Sequence, residues 1–283
     1  MTRDVAAPAL HLHPARPDPP AVPNVTRACP LCGGAGGSVI GRDGPWQLVQ
    51  CGRCQLAYLP EIPAAGPQTE SSDWEEAFRR ERVRRWVESP IARLVTAAVL
   101  LLKPRREARM LRRVRSLVPR GRFLDIGAGD GRLAAEAQRG GYDVFCIEPS
   151  AAMAAKAARR VGAERVHVGL LDDCPLPPRS FDVVTLVSVL EHEPRPVQML
   201  ARVRELLRDG GGVAVKVPNF DCWLRRLRGR RWSGYRWPEH VQYFTPQTLT
   251  AVLERAGFEV QRLVAPPWSD NFWVLARPGR EGG

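Results

Sequence analysis

The sequence has no apolar segment long enough to cross a lipid bilayer. Its longest apolar run, residues 91–102, is interrupted by Arg93 and Thr96, whereas a membrane-spanning helix needs about 20 apolar residues. The first 28 residues are rich in proline and alanine and contain no continuous apolar stretch of the kind found in secretory signals. We therefore expect a disordered tail over residues 1–28 and a cytoplasmic protein.

Lysine is scarce, because only three of the 42 basic residues are lysines. The formal net charge is +12, and it is concentrated in two segments. Residues 79–120 hold fourteen basic residues against three acids, and residues 224–237 hold six arginines and no acid. Such segments favour anionic partners: nucleic acid, sugar nucleotides or lipid phosphates. For the first segment a solvated helix face and peripheral membrane contact through residues 91–102 are the alternatives.

Four of the seven cysteines form two closely spaced pairs. Cys29 and Cys32 make one C-x2-C pair, Cys51 and Cys54 make the other, and eighteen residues separate the pairs. This spacing is typical of a zinc ribbon, since each pair places two thiolates on one tight turn. Four thiolates leave no open position for water, so we expect structural Zn²⁺ rather than a catalytic metal. Two disulfides are the alternative, but they belong to exported proteins.

A glycine-rich loop follows a predicted strand in the middle of the chain. Residues 123–131 read Phe-Leu-Asp-Ile-Gly-Ala-Gly-Asp-Gly, in which residues 123–126 have the pattern of a buried strand end. Three alternate glycines allow the backbone to turn tightly towards a ligand before a helix begins near Arg132. A second strand, residues 142–147, leads to Glu148, an acid suited to the two hydroxyls of a ribose. The pattern indicates a site for a nucleoside cofactor.

The charge of this loop separates two classes of cofactor. A dinucleotide loop has the spacing G-x-G-x-x-G and offers a helix N-terminus to a pyrophosphate. Here the spacing is G-x-G-x-G, and Asp125 stands at the loop entrance, where a carboxylate would repel phosphate. A carboxylate there suits the ammonium and sulfonium groups of S-adenosylmethionine, which is the predicted cofactor. A strand-turn-helix that binds no ligand remains the alternative.

Further motifs follow the loop in a fixed order. They are Phe-Asp-Val-Val from Phe181, Leu-Glu-His ending at His192, and Asp-Gly-Gly-Gly from Asp209. Together with the loop and Glu148, this order resembles the class I S-adenosylmethionine-dependent methyltransferases over residues 105–278. The resemblance implies an α/β fold with a Rossmann-like, doubly wound, seven-stranded sheet. We predict a zinc module at residues 29–60, a linker and helical cap region at 61–120, and the methyltransferase domain at 121–278.

The resemblance also implies which residues bind the cofactor. Asp125 would hold the methionine end together with the loop glycines, and Glu148 would hold the ribose. The family often has Gly-Asp after the third strand to bind the adenine amino group, but this chain has Gly-Leu-Leu-Asp-Asp from Gly169. Either Asp172 or a backbone carbonyl must then serve. The predicted cofactor residues are Asp125, Gly127, Ala128, Gly129, Glu148, Asp172 and Ser188.

Residues 220–244 are the predicted acceptor pocket. They combine aromatic residues with six arginines, and they follow the carboxyl end of a strand, where α/β sheets bind ligands. His240 is the candidate general base, because an imidazole titrates near neutrality, and Glu239 and Tyr243 would orient it or the acceptor. A packing role is the alternative for His240, and for His192 we favour a structural role in the cleft wall.

A narrower resemblance bears on the acceptor. The run from Trp237 to His240 is similar to the Tyr-x-Glu-His run of deoxysugar C-methyltransferases, which also carry a four-cysteine zinc module, although the tyrosine is replaced here. It implies a small-molecule acceptor, such as an anionic sugar or another natural-product intermediate. Ribosomal RNA methyltransferases also join a zinc module to this fold, so an RNA base methyltransferase is the second candidate. The sequence leaves the oligomeric state open.

Overall fold

The computed structural model describes residues 24–64 and 106–279, and all structural statements concern these two ranges. Several predictions made from the sequence concern residues outside these two ranges. Residues 1–23 of the predicted tail (1–28), residues 65–105 of the predicted linker and helical region (61–120), and the apolar run at 91–102 lie outside the described residues, whereas residues 24–26 of that tail form a strand.

A seven-stranded sheet forms the centre of the larger range. Its strands are β6 (Arg122–Ile126), β7 (Asp143–Glu148), β8 (Val166–Val168), β9 (Phe181–Val187), β10 (Leu207–Pro218), β12 (Phe258–Val264) and β13 (Asn271–Pro278). Their order across the sheet is β12-β13-β10-β9-β6-β7-β8. Six strands run in one direction, and β13 alone of the seven runs antiparallel to both of its neighbours. This arrangement confirms the α/β, Rossmann-like fold predicted from the sequence.

Helices cover this sheet and begin at recognisable sequence signals. They are α1 (Arg106–Leu117), α2 (Arg132–Arg139), α3 (Ala151–Val161), α4 (Pro196–Leu206) and, after a short helix α5 (Trp223–Arg228) that has no buried residue, α6 (Pro246–Arg255). The Ser150 side chain caps α3, and Thr245 caps α6 in a reciprocal pair with Thr248. Within the described ranges, no helix is both long and apolar enough to cross a membrane.

The order of the strands places a crevice at one edge of the sheet. After β6 the chain adds β7 and β8 on one side, and then returns to place β9 and β10 on the other side of β6. Ligands of such sheets bind at the carboxyl ends of the strands where the order reverses. The central strand β9 reads Phe-Asp-Val-Val-Thr-Leu-Val and is largely buried, as expected for a parallel strand covered by helices.

The cysteine-bearing module forms two small sheets, one of which is completed by a strand from the rest of the chain. Its strands are β1 (Asn24–Thr26), β2 (Gly37–Asp43), β3 (Trp46–Cys51), β4 (Ala57–Tyr58) and β5 (Glu61–Pro63). Strand β11 (Gln242–Tyr243) pairs antiparallel with β4 and forms the edge of a four-stranded sheet, β11-β4-β3-β2. Because β1 pairs with β5, the module also extends beyond both boundaries predicted from the sequence, Cys29 and Pro60.

A shared hydrophobic core joins the module to the predicted acceptor segment. Module residues Trp46, Leu48 and Leu59 belong to one buried cluster with Trp232 and Val241 of the segment. The module and residues 220–244 therefore pack as one unit.

The close packing of the glycine loop on α3 generates a prediction about stability. Gly131 has φ +76°, and a Cβ there would lie 2.7 Å from Cα of Ala157. We expect Gly131→Ala to lower the free energy of unfolding by about 2–4 kcal/mol, from backbone strain and overpacking together. Gly129 is the matched control, because its φ is +56° but no atom lies within 4 Å of the added Cβ. Gly129→Ala should cost only about 1 kcal/mol.

Urea denaturation of the two variants, without added ligand, measures this difference. Equal losses would show that the contact with Ala157 is relieved at little cost.

Candidate active site

The glycine loop is anchored to the neighbouring strand through its own backbone. The N–H groups of Gly127 and Ala128 both donate to the carbonyl of Ile147, at 2.8 and 3.1 Å. A side chain at Gly127 would meet Val189, whose Cγ2 would be 2.6 Å from the added Cβ. Val189 lies just after β9, so the loop packs directly against the turn that follows that strand.

Glu148 connects the loop to the start of the next helix. Its Oε2 accepts a hydrogen bond from the N–H of Gly129 at 2.7 Å, and its Oε1 accepts one from the N–H of Ser150 at 3.0 Å. The carboxylate predicted to bind ribose is therefore held at the carboxyl end of β7, beside the loop.

Asp125 lies at the end of β6 and is only 2% exposed. The hydroxyl of Thr185, on the adjacent strand β9, donates to its Oδ1 at 2.5 Å. The pKa of Asp125 is raised to about 7, chiefly by burial and in part by the nearby charge of Glu148, against the opposing effect of the Thr185 hydrogen bond. Near neutral pH this carboxyl group is therefore poised between its two protonation states, and a cation placed beside it would favour the carboxylate.

Ser188 follows β9 and contacts a buried lysine. Its φ is +60°, and its Oγ accepts a hydrogen bond from Nζ of Lys216 at 3.1 Å. Lys216 is 6% exposed and lies on β10, among apolar neighbours. It was not predicted from the sequence as a site residue, although a single lysine inside an apolar strand is the kind of signal that could have identified it.

Asp172 lies on the surface, in a short 3₁₀ turn at Leu171–Asp173. Its carboxylate is 3.5 Å from Nη2 of Arg195, and both side chains are largely exposed. The neighbouring Asp173 accepts a hydrogen bond from the N–H of Leu170 at 3.2 Å. The adenine contact predicted for Asp172 stays a prediction.

Two histidines meet at the carboxyl edge of the sheet. Nδ1 of His192 is 3.0 Å from the carbonyl of Glu239, and Nδ1 of His240 is 2.8 Å from the carbonyl of Gly234. A carbonyl can only accept, so in each ring we assign a proton to Nδ1, and in the neutral form of His240 the lone pair is then on Nε2. The two ring centroids are 4.7 Å apart, nearly perpendicular. His192 belongs to the turn of Val189, and the pair therefore lies near the glycine loop.

The environment of His240 keeps its imidazole neutral. The side chain is 4% exposed, and burial lowers its pKa well below the usual value. His192, Arg236 and Lys216 lower the pKa further by charge, against the small opposing effect of the hydrogen bond to Gly234. At neutral pH His240 can therefore accept a proton without first losing one.

Tyr243 lies in the aromatic core that joins the module to the acceptor segment. Its ring is 5.4 Å from that of Phe220 and 5.6 Å from that of Tyr235. Burial raises the pKa of Tyr243 well above its usual value, so the phenol keeps its proton. Its hydroxyl accepts a hydrogen bond from the N–H of Arg236 at 3.4 Å. These contacts give Tyr243 a packing role, and its predicted orienting role stays untested.

The four paired cysteines converge although they lie on two separate turns. Sγ of Cys29 is 3.5 Å from Sγ of Cys54, and Sγ of Cys32 is 3.5 Å from Sγ of Cys51. All four sulfur atoms lie within 4.8 Å of one another, and none forms a disulfide. Each turn ends in a residue with positive φ, Gly33 or Gln55. This is a compact set of four thiol ligands.

The structure brings most of the predicted site residues to one edge of the sheet. Asp125 and Glu148 meet at the loop, whereas His192 and His240 meet beyond the end of β9. This pairing of the two histidines was not predicted from the sequence, because the residues belong to segments that are distant along the chain.

Comparison with known proteins agrees with this geometry. A family model described as a methyltransferase domain matches residues 83–263, more than half of the chain. A ubiquinone biosynthesis O-methyltransferase of Saccharophagus degradans is 27% identical over 160 residues, which cover 53% of this chain and 68% of that protein. The corresponding enzyme of Aeromonas salmonicida is 29% identical over 151 residues, covering 50% and 63%. The chain thus spans about two thirds of the length of these relatives.

Solved structures show the same fold. An S-adenosylmethionine-dependent methyltransferase of Thermotoga maritima superposes with a TM-score of 0.50 at 24% identity, covering 61% of this chain and 89% of that one. A protein of Pyrococcus horikoshii gives a TM-score of 0.51 at 18% identity, with the same coverage. The family match over the sheet and its glycine loop leads to one conclusion: the chain belongs to the methyltransferase domain family and is an S-adenosylmethionine-dependent methyltransferase.

Proposed function

We propose that the protein methylates a small-molecule acceptor, which binds beside His192 and His240 and faces the glycine loop. The observation that carries this proposal is the contact of the loop with the turn after β9, where Val189 packs against Gly127 and His192 follows. A methyl donor on the loop and an acceptor beside the histidines would then be neighbours. Positioning two reactants side by side supplies most of the rate enhancement in such a displacement.

The residues at the loop fit S-adenosylmethionine. The backbone at Gly129 has open space on its side-chain side, so a ligand can approach it closely. Two acids lie on the strands beside this loop: Glu148 is suited to ribose hydroxyls, and Asp125 to the cationic methionine end. When bound, the cofactor supplies an electrophilic methyl group. We propose Gly127, Ala128 and Ser188 as further contacts, because they line the same edge of the sheet.

His240 is proposed to take the proton of the acceptor. Nε2 carries the lone pair, because Nδ1 donates to Gly234, and the depressed pKa keeps this lone pair available at neutral pH. The backbone carbonyl of Glu239 accepts a hydrogen bond from His192 and holds that ring beside His240. Glu239 would therefore act by positioning His192. Lys216 and Arg236 lie close enough to affect His240 by charge, and they would favour an acceptor oxygen that becomes anionic.

The acceptor class is proposed from the relatives and from the residues near the histidines. The relatives described above are named for ubiquinone biosynthesis, and a phenolic hydroxyl is an acceptor that a neutral imidazole could deprotonate as the methyl arrives. A sugar or another natural-product intermediate fits the same chemistry. No relative described above supports the ribosomal RNA alternative, which becomes an outcome of the test.

We also propose that the four cysteines bind one structural Zn²⁺. A tetrahedron with Zn–S bonds of about 2.3 Å has S···S edges of about 3.8 Å, close to the 3.5 Å found for Cys29–Cys54 and Cys32–Cys51. Four thiolates would close the coordination sphere, so the metal would hold the module together and would not touch substrate.

The first prediction here concerns cofactor affinity. Asp125→Asn and Glu148→Gln should each weaken S-adenosylmethionine binding by about tenfold or more, since each removes a charge-assisted hydrogen bond worth about 1.5–3 kcal/mol. Asp130→Asn is the matched control, because Asp130 lies in the same loop but pairs with Arg132 and Arg160. Isothermal titration calorimetry measures the three affinities. Unchanged binding in both test variants would refute the proposed contacts.

The second prediction concerns the pH dependence of that affinity. A bound cation favours the carboxylate of Asp125, whose pKa in the free protein is about 7, so binding must release a proton below pH 7. Affinity should therefore fall by up to about tenfold between pH 7.5 and pH 6. Asp125→Asn should remove this component. If the variant retains the same pH dependence, another group is responsible.

The third prediction concerns the metal. Purified protein should contain one zinc per chain by elemental analysis, and Cys32→Ser should lose it, because three thiolates bind zinc far more weakly. Cys174→Ser is the matched control, since Cys174 is a buried thiol outside the cluster. Absence of metal, together with two disulfides among the four cysteines, would contradict the proposal.

The fourth prediction tests the reaction itself. The protein is incubated with S-adenosylmethionine and a panel of catechols, phenols and nucleotide sugars, and the demethylated cofactor and methylated product are followed by mass spectrometry. On an active acceptor, His240→Ala should lower kcat by about 10²-fold with cofactor affinity nearly unchanged. In the wild-type protein, kcat at saturating cofactor should not fall as the pH is lowered through the usual titration range of an imidazole, because the pKa of His240 lies well below its ordinary value.

His192→Ala is the comparison variant for this experiment. If it abolishes turnover while His240→Ala leaves turnover intact, the base is misassigned. Site-specific methylation of ribosomal RNA, with no activity on the panel, would favour the RNA alternative instead.

A further inference from the structure

Arg27 of the cysteine module reaches both segments that carry the histidines. Its Nε donates to the carbonyl of Leu59 within the module, at 2.9 Å. Its Nη1 donates to the carbonyl of Pro194 at 2.9 Å, and its Nη2 donates to the carbonyl of Val241. Pro194 is two residues after His192, and Val241 is next to His240. One planar guanidinium thus bridges two loops and the module.

The side chain of Gln242 completes the same connection. Its amide nitrogen donates to the carbonyls of Leu190 and Glu193, at 2.6 and 2.7 Å, which lie on either side of His192 along the chain. Its Oε1 is 3.3 Å from Nη1 of Arg27. Gln242 is completely buried, so the bond from Arg27 also fixes the orientation of its amide.

Backbone contacts tie the two histidine segments together at the same place. The N–H of Val241 donates to the carbonyl of Glu191 at 2.9 Å, and the carbonyl of Val241 also accepts from the N–H of Leu59 at 2.9 Å. The spacing between the two imidazoles therefore depends on a small set of hydrogen bonds. The bonds in this set that a side chain of the module donates come from Arg27.

We infer that Arg27 is a positioning residue that sets the geometry of the His192–His240 pair, and that the cysteine module is in this sense a support of the active site. The inference rests on the proposed function for its consequence in catalysis, but not for its structural content. A guanidinium can donate several hydrogen bonds in one plane, whereas the compact ammonium of lysine cannot reproduce this fork. A positive charge without this fork would therefore not hold the two histidine segments in the same geometry.

The test begins with a readout that needs no acceptor. Protein labelled with ¹⁵N-histidine reports the tautomer and environment of each imidazole by NMR, with assignments from His192→Gln and His240→Gln. Arg27→Gln should shift or broaden the resonances of His192 and His240 and leave that of His167, on β8, unchanged. Arg53→Gln is the matched control, since Arg53 is an exposed arginine between Cys51 and Cys54 of the same module.

Controls keep a folding defect apart from a positioning effect. Zinc content and affinity for S-adenosylmethionine, the latter within about twofold of the wild-type value, should be retained in Arg27→Gln. If that variant does not fold, Arg27→Lys is used, and it should show the same shifts because it keeps the charge but not the fork. Unaltered His192 and His240 resonances in the folded Arg27 variant would overturn the inference.

Catalysis gives a second readout once an acceptor is known. Arg27→Gln should lower kcat by about 10–100-fold, since a displacement of about 1 Å can have such an effect. If Arg27 acts through His240, combining Arg27→Gln with His240→Ala should lower kcat little more than His240→Ala alone. If the losses in kcat of the two single variants multiply in the double variant, Arg27 has a role that is independent of His240. If the wild-type protein transfers no methyl group at all, the proposed function fails while the NMR result still decides the positioning role.

Discussion

The position of the proposed acceptor segment, residues 220–244, depends on the antiparallel pairing of Ala57–Tyr58 with Gln242–Tyr243. Through this pairing the cysteine module contributes three strands to a sheet whose fourth strand comes from the methyltransferase part. The shared aromatic core and the hydrogen bonds of Arg27 also hold the module against the methyltransferase part. Without this pairing, residues 220–244 would be a long connection with little regular structure. We therefore regard the module as part of the architecture of the catalytic unit.

On the other side of the crevice, at the glycine loop, two carboxyl groups lie close together. Asp125 and Glu148 end adjacent strands, and placing both carboxyl groups in a mostly buried region raises the pKa of Asp125. Hydrogen bonds from Thr185, Gly129 and Ser150 stabilise the two carboxyl groups and offset the cost of burying them close together. A bound cation would relieve it further, so the arrangement favours a cationic ligand over an anionic one.

The two sides of the crevice differ in how they are built. The loop, Glu148 and the start of α3 come from one continuous βαβ unit, whereas the histidine pair is assembled from two segments and supported by a third. This difference fits a family in which the methyl donor is constant and acceptors vary. Under the function proposed above, substrate preference would reside in residues 220–244, and the charges of Lys216 and Arg236 lower the pKa of His240.

The sequence by itself determined the features that depend on residues near one another in the chain. The glycine spacing, the acid at Glu148, the proline and threonine at the start of α6 and the C-x2-C pairs all act locally, so the α/β fold and the cofactor loop could be predicted. Only the tertiary structure decided that β4 pairs with β11 and that Arg27 bonds to Val241, 214 residues away. Strands of two residues carry no periodic pattern, and the partner of a buried arginine or histidine is chosen by packing, because the polar atoms of a core must find hydrogen bonds wherever the fold provides them.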